Sequence, residues 1–309
     1  MDLYPLRKNR LRECLDQGRP SLGTHLLSTW PTITELVGQT RQFDYIEFVA
    51  EYAPWTMHDL DNLGRAIELF PDFSGMIKIE QFTRGHLAMR AIGSGIQNVL
   101  FADIRTAEDA QHCVRSVRAE HPDHLGLHGV GLRRDARTVL YGGSKDWIAA
   151  LASCVVAIMI EKREALEDLD SILATPGLDM VQFGPADYAM SMGLSRLEDA
   201  DQIREAEAHV IATALRHGLA PRAEIADARG AEHYLNLGVR HFCVGHDVGI
   251  LHNWFSDQGA RMRSLFRELA GDQDQPAADG VEGQGVRGQA TQERAVQERA
   301  APGARRAPY

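Results

Sequence analysis

The chain has no apolar run long enough to span a bilayer, and its first residues, MDLYPLRKNRLRECL, carry charges where a secretion signal needs an apolar centre. Neither a membrane segment nor a signal is expected, and a cytoplasmic protein is the reading. Positive charge is in deficit. The 33 lysines and arginines stand against 43 acids, a net charge of −10, which works against binding a nucleic-acid backbone. The four cysteines, Cys14, Cys113, Cys154 and Cys243, are widely spaced with no CxxC pair. That excludes a disulfide framework or a cysteine-rich metal cluster and fits reduced thiols. No GxSxG elbow or P-loop occurs, and Gly93-Ser94-Gly95 ends a helix before a strand, the reverse of a dinucleotide loop.

What the chain does have is concentrated in residues 154 to 193. CVVAIMI (154 to 160) has no polar interruption, as expected of a parallel strand buried on both faces, and it stops at Glu161. Leu166, Leu169 and Leu173 mark one face of a helix whose other face carries Glu167, Asp168 and Asp170. Pro176-Gly177 breaks that helix, MVQFG forms a second buried strand, and Gly184-Pro185-Ala186 turns the chain into Asp187. Glu161 and Asp187 therefore both follow strand ends, where α/β folds gather their ligands. Two hard carboxylates there suit Mg²⁺ or Mn²⁺, with Co²⁺ also admissible, although from spacing alone a pair of solvated loop acids is the commoner explanation.

Along the chain, residues 1 to 19 read as a helix. Apolar strands follow at 22–27, 44–51, 75–81, 98–104, 154–160, 180–184, 220–226 and 241–245, separated mostly by helices. Thr106, with acids in the turn after it, caps a helix over 106–119, and residues 122–147 form an irregular excursion ending in Trp147. Eight strands in this rhythm predict an α/β chain folded as a (β/α)8 TIM barrel over residues 1–270. From Gly271 large apolar residues nearly vanish, so 271–309 reads as a disordered low-complexity tail.

The segment IEKREALEDLDSIL followed by GLDMVQFGPADYAMSMG resembles the HpcH/HpaI aldolase family, the metal-dependent class II pyruvate aldolases. In that family an E-(T)-R-E-A segment and a G-P-A-D segment each give one carboxylate to a divalent metal. Their spacing agrees with Glu161 and Asp187, 26 residues apart. Weaker likeness runs from about Leu22 to Phe266, through IGSGIQNVLFADIRTAEDA, HGVGLRRDAR and FCVG. The resemblance implies a barrel that binds pyruvate or another 2-oxo acid on the metal, with Gly184, Ala186 and Asp187 at the substrate carboxylate. Pro185 has no N–H, so Ala186 and Asp187 are the usable donors. It also implies dimers, within hexamers, built through the apolar helix bearing Trp254, Phe255, Met262, Leu265 and Phe266.

The chain departs from the pattern where the proton chemistry should be. The family's D-G-E-H-A-P is here V-A-E-Y-A-P, Val49 to Pro54: Tyr52 replaces the histidine and Val49 the aspartate. A phenol with a pKa near 10 is a poor base at neutral pH. Lys78 stands for an arginine, keeping the charge but losing the planar fork, and a lysine at a strand end also raises Schiff-base chemistry. Met159 replaces a glutamine. Glu51, which matches the family's glutamate, joins Tyr52 and Lys78 as the catalytic candidates. Glu47 shares the alternate face with Val49 and Glu51 and is a further base candidate. His128, His246, Arg133, Arg134 and Arg137 occupy plausible loops. The expected function is a carbon–carbon lyase, an aldolase joining a 2-oxo acid to an aldehyde through a metal-stabilised enolate. The alternatives are decarboxylation or condensation of an oxaloacetate-type substrate, and a non-catalytic 2-oxo acid binding protein.

Overall fold

The computed structural model describes residues 4–270; the expectation of a disordered tail at 271–309 falls outside the described residues. Eight parallel strands close into a barrel in chain order: β1 Ser21–Leu26, β2 Tyr45–Val49, β3 Ser74–Ile79, β4 Asn98–Phe101, β5 Val155–Ile160, β6 Met180–Phe183, β7 Ala220–Ile225 and β8 His241–His246. β8 pairs back onto β1, with Ser21 opposite His241 and His25 opposite His246. Helices alternate with the strands, and the molecule is a TIM barrel, as the eight apolar runs imply.

Alternation along each strand divides the apolar residues into two layers. Ile46, Phe48, Ile77, Ile79, Val156 and Ile158 point outward and pack with helix residues such as Leu60, Leu63, Ala88 and Ile172. Tyr45, Met76, Leu100, Val155, Ala157, Met159 and Met180 fill the interior. Each such large side chain contributes about 1.5–3 kcal/mol of transfer free energy.

The first helix is shorter than expected, Arg10–Asp16. Asn9 caps it, and the same side chain donates to Asn98 Oδ1 at 2.7 Å while Leu11 joins the barrel interior. This helix closes the barrel at the N-terminal ends of its strands.

Three other expectations are corrected. Trp147 does not end a loop but lies inside a helix, Lys145–Ala152, capped by Ser144, and is buried to 2% exposure. The helix after Glu161 is two short ones, Arg163–Glu167 and Leu169–Leu173, because Asp168 leaves the helical region (φ −113°, ψ 27°). Asp187 sits in the first turn of a helix, Pro185–Met192, rather than in a loop. Pro185 presets that helix's first φ, and Gly193 ends it at φ 70°.

Beyond Asp247 a single helix runs to Ala270, with Ile250, Trp254, Phe255, Leu265 and Phe266 exposed. Among the described residues no helix is long and apolar enough to cross a membrane.

Candidate active site

At the C-terminal ends of β4, β5 and β6 the chain gathers Asp103, Glu161, Lys162 and Asp187. Glu161 is 2% exposed, and its Oε1 accepts the Asp103 N–H at 2.8 Å. That amide is aimed by an unusual backbone: Asp103 has φ 57°, and Arg84 secures the turn by donating to the carbonyls of Ala102 (3.2 Å) and Asp103 (2.8 Å). Lys162 Nζ bridges Asp103 Oδ1 at 2.6 Å and Asp187 Oδ1 at 2.9 Å. Thus Glu161 and Asp187 each have one oxygen held by a protein donor, and among the described residues no hydrogen bond engages the other. Burial, with Asp187 and Asp103 nearby, pushes the Glu161 carboxyl up to about 7, against the opposing pull of Lys78. A buried carboxylate with raised pKa, a second acid beside it and one free oxygen on each is a donor set that fits a hard divalent cation.

Gly184 makes this arrangement possible. Its N–H is committed to the Ile160 carbonyl at 3.1 Å, so it is not a substrate donor. A Cβ added there would overlap Glu161 Oε2 and come within 2.7 Å of the Glu161 Cβ. The N–H groups of Ala186 and Asp187 lie in the first turn of their helix, where no side chain caps them and helix geometry leaves them without intrahelical partners.

The three residues at the ends of β2 and β3 also meet. Lys78 Nζ lies 2.7 Å from Glu51 Oε2, donates to the Tyr52 hydroxyl at 3.1 Å and sits 4.8 Å from the Tyr52 ring centroid. Burial would lower the Lys78 pKa, but Tyr52, Glu51 and Glu161 together drive it well above the ordinary lysine value, so it is a fixed cation. The Tyr52 hydroxyl is raised above the ordinary phenol value, desolvation outweighing Lys78, and it is a proton donor rather than a base. Val49, where the family carries an aspartate, is simply buried.

Beneath the mouth lies a polar network that sequence reasoning missed apart from Glu47. Arg222 on β7 is wholly buried; it pairs with Glu47, donates to Gln182 Oε1 and reaches the Tyr45 hydroxyl at 2.8 Å. On its other side Glu47 faces His25, whose second ring nitrogen lies 3.2 Å from Glu224. The available signal was charge at inward positions of strands that must be buried on both faces: His25, Glu47 and Arg222 each needed a partner. Glu47 is therefore consumed inside the barrel and not presented at its mouth.

The candidates in the excursion, His128, Arg133, Arg134 and Arg137, are not brought to the site. His128 is buried, its ring edge-on to Trp147 at 5.8 Å, and burial lowers its pKa. Arg133 pairs with Asp61 at 2.8 Å, while Arg134 and Arg137 share Glu68 at 2.7 and 3.2 Å. These acids lie on the helix Met57–Glu68, whose C-terminal end leads into the start of β3, at the opposite end of the barrel. His246 is the last residue of β8, in register with His25.

The model of the HpcH/HpaI aldolase/citrate lyase family matches residues 73–253. The chain is 28% identical over 271 residues to a hydroxypyruvate/pyruvate aldolase of Deinococcus radiodurans, covering 87% of this chain and 95% of that protein. It is 28% identical over 253 residues to a 4-hydroxy-2-oxo-heptane-1,7-dioate aldolase of Salmonella dublin, covering 79% and 90%. Among solved structures, an HpcH/HpaI aldolase/citrate lyase family protein from Burkholderia cenocepacia superposes with a TM-score of 0.74 at 28% identity, over 83% of this chain and 100% of that one.

Proposed function

Because the chain belongs to the HpcH/HpaI aldolase/citrate lyase family, we propose that it is a divalent-metal-dependent carbon–carbon lyase making or breaking the bond at C3 of a 2-oxo acid, pyruvate being the simplest. The observation that carries this is the carboxylate pair, Glu161 and Asp187, each with one oxygen anchored and one free. Glu161 and Asp187 would hold a divalent ion, Mg²⁺ or Mn²⁺, which when bound would supply Lewis-acid polarisation of the 2-oxo acid's keto group. Asp103 N–H and Lys162 fix the two ligands. The N–H groups of Ala186 and Asp187 receive the substrate carboxylate at the positive end of their helix. Glu51 takes the proton from the C4 hydroxyl when a 4-hydroxy-2-oxo acid is cleaved, and Tyr52 and Lys78 donate to the oxygen of the aldehyde that leaves. As a fixed cation Lys78 is not the free amine a Schiff base needs, so borohydride with pyruvate should leave it unmodified.

The test is release of pyruvate from 4-hydroxy-2-oxo acids by chelated enzyme, before and after Mg²⁺ or Mn²⁺ is restored. Activity indifferent to the chelator would sink the reading. Lys78→Met should lower kcat/KM by about 10²-fold, with Lys78→Arg recovering part of it, since only the second keeps a cation beside Glu51 and Tyr52. Gly184→Ala should weaken Mn²⁺ binding about 10- to 100-fold in calorimetry without unfolding the barrel, because its Cβ displaces Glu161.

One observation favours a second reading. With a phenol in place of the family's histidine, deprotonating a hydroxyl is the weakest step, and decarboxylation of an oxaloacetate-type substrate reaches the same enolate without it. Turnover of oxaloacetate but not of 4-hydroxy-2-oxo acids would select that reaction. The exposed apolar residues of the helix Asp247–Ala270 support a homo-oligomer, which sedimentation will check. Four free, buried cysteines are consistent with a cytoplasmic setting.

A further inference from the structure

His25 on β1, Glu47 on β2 and Cys243 on β8 turn a nitrogen, a carboxylate oxygen and a sulfur toward one point inside the barrel, all within 4.8 Å of one another. The residues are 6%, 0% and 0% exposed. His25 Nε2 and Glu47 Oε1 lie 3.2 Å apart, yet each is a buried polar atom with no aligned hydrogen bond. The two ligand atoms are thus held close to one another without the aligned geometry of a hydrogen bond. We propose that this cluster is a second metal site, selective for a borderline transition ion of the Zn²⁺ class and distinct from the carboxylate pair at the mouth.

The surroundings are those of a built site. The other nitrogen of His25 is 3.2 Å from Glu224 Oε1, and a carboxylate there accepts a hydrogen bond from Nδ1–H, which leaves the Nε2 lone pair free to ligate. Arg222 holds the remaining oxygen of Glu47, which aims Oε1 inward. The 3.2 Å between His25 Nε2 and Glu47 Oε1 matches the spacing of two ligands about 2.0–2.1 Å from a tetrahedral ion, and the thiolate closes the third corner at about 2.3 Å. Charge also balances. Glu47, Glu224 and a Cys243 thiolate against Arg222 leave two negative charges, those of one divalent cation. A nitrogen, oxygen and sulfur set prefers Zn²⁺ over Mg²⁺, whereas the Glu161–Asp187 pair prefers the reverse. Glu224, its side chain 42% exposed, opens the cluster toward solvent, giving the ion a way in and a water for the fourth position. The three ligands come from adjacent strands β8, β1 and β2, so the ion would tie the seam where the barrel closes.

The inference does not rest on the aldolase reading, and its test separates the two. The full chain is stripped of metal, saturated with Mg²⁺ to fill the mouth, and titrated with Zn²⁺ and separately with Co²⁺. One equivalent of Zn²⁺ should bind, Co²⁺ should give a thiolate charge-transfer band, and X-ray absorption of the zinc form should show one sulfur at about 2.3 Å. Cys243→Ala should remove the band and weaken Zn²⁺ at least about 100-fold, Glu224→Gln should weaken it about 10- to 100-fold, and Glu161→Gln should leave it unchanged. The proposal is overturned if the wild-type zinc form shows only oxygen and nitrogen ligands, if no zinc binds beside Mg²⁺, or if Glu161→Gln is the variant that loses it. The spectrum of the unmutated protein decides the matter even if Cys243→Ala fails to fold.

Discussion

Glu161→Gln is expected to lower kcat/KM by at least about 10³-fold, because it removes the charge of the buried ligand and with it several kcal/mol of transition-state stabilisation. Gln keeps the shape of the side chain and an oxygen to accept the Asp103 N–H, so the barrel should fold as before. The same substitution should act in the opposite direction on stability. The Glu161 pKa is about 7 against an ordinary 4.5, so the folded chain prefers the protonated form. That preference is fully present below about pH 4.5 and is lost as pH rises through 7, where ion-free protein must carry a buried charge. The loss is about 3 kcal/mol by pH 8. Ion-free wild type should therefore melt at lower temperature at pH 8 than at pH 6, and the amide variant should lack this component. Mg²⁺ or Mn²⁺ should restore the wild type at pH 8 and do little for the variant. Thermal melts at the two pH values check this, and equal sensitivity in both proteins would place the pH dependence elsewhere.

The barrel was legible because parallel strands covered on both faces must be nearly pure apolar runs, and VVAIMI is short and rich in β-branched residues, which favours a strand over a buried helix. The mouth was legible for a related reason. Glu161, Lys78 and Glu51 interrupt or terminate such runs, and a charge at a strand end has a direction as well as a position. Pairings across long stretches of chain were not legible. Nothing local in Glu47 says that its partner is Arg222, 175 residues on, and nothing in Lys162 says that it will span Asp103 and Asp187. The excursion arginines misled because a loop rich in Arg looks the same whether it meets a substrate or, as here, Asp61 and Glu68 on a neighbouring helix. The split after Asp168 escaped because leucines at helical spacing tolerate a break that leaves Leu169 and Ile172 buried.

Arg222→Met should destabilise the chain by about 3–5 kcal/mol, the usual cost of removing one member of a buried ion pair. Arg222 is wholly enclosed, and its donors are spent on Glu47, Gln182 and Tyr45, so its loss leaves all three without their partner. Burial alone would raise the Glu47 pKa, yet Arg222 and His25 hold it below the ordinary carboxylate value. Removing Arg222 withdraws the larger of those two supports and leaves a charge inside the barrel. Adding Glu47→Leu removes that charge too, and the double variant should recover most of the loss, because two apolar side chains replace a pair whose desolvation cost rivals its attraction. Urea unfolding of the two single variants and the double variant completes the cycle. A loss below about 1 kcal/mol for Arg222→Met would mean that water reaches the network after all. A double variant no better than the single would mean that Arg222 acts through Tyr45 and Gln182 rather than through Glu47.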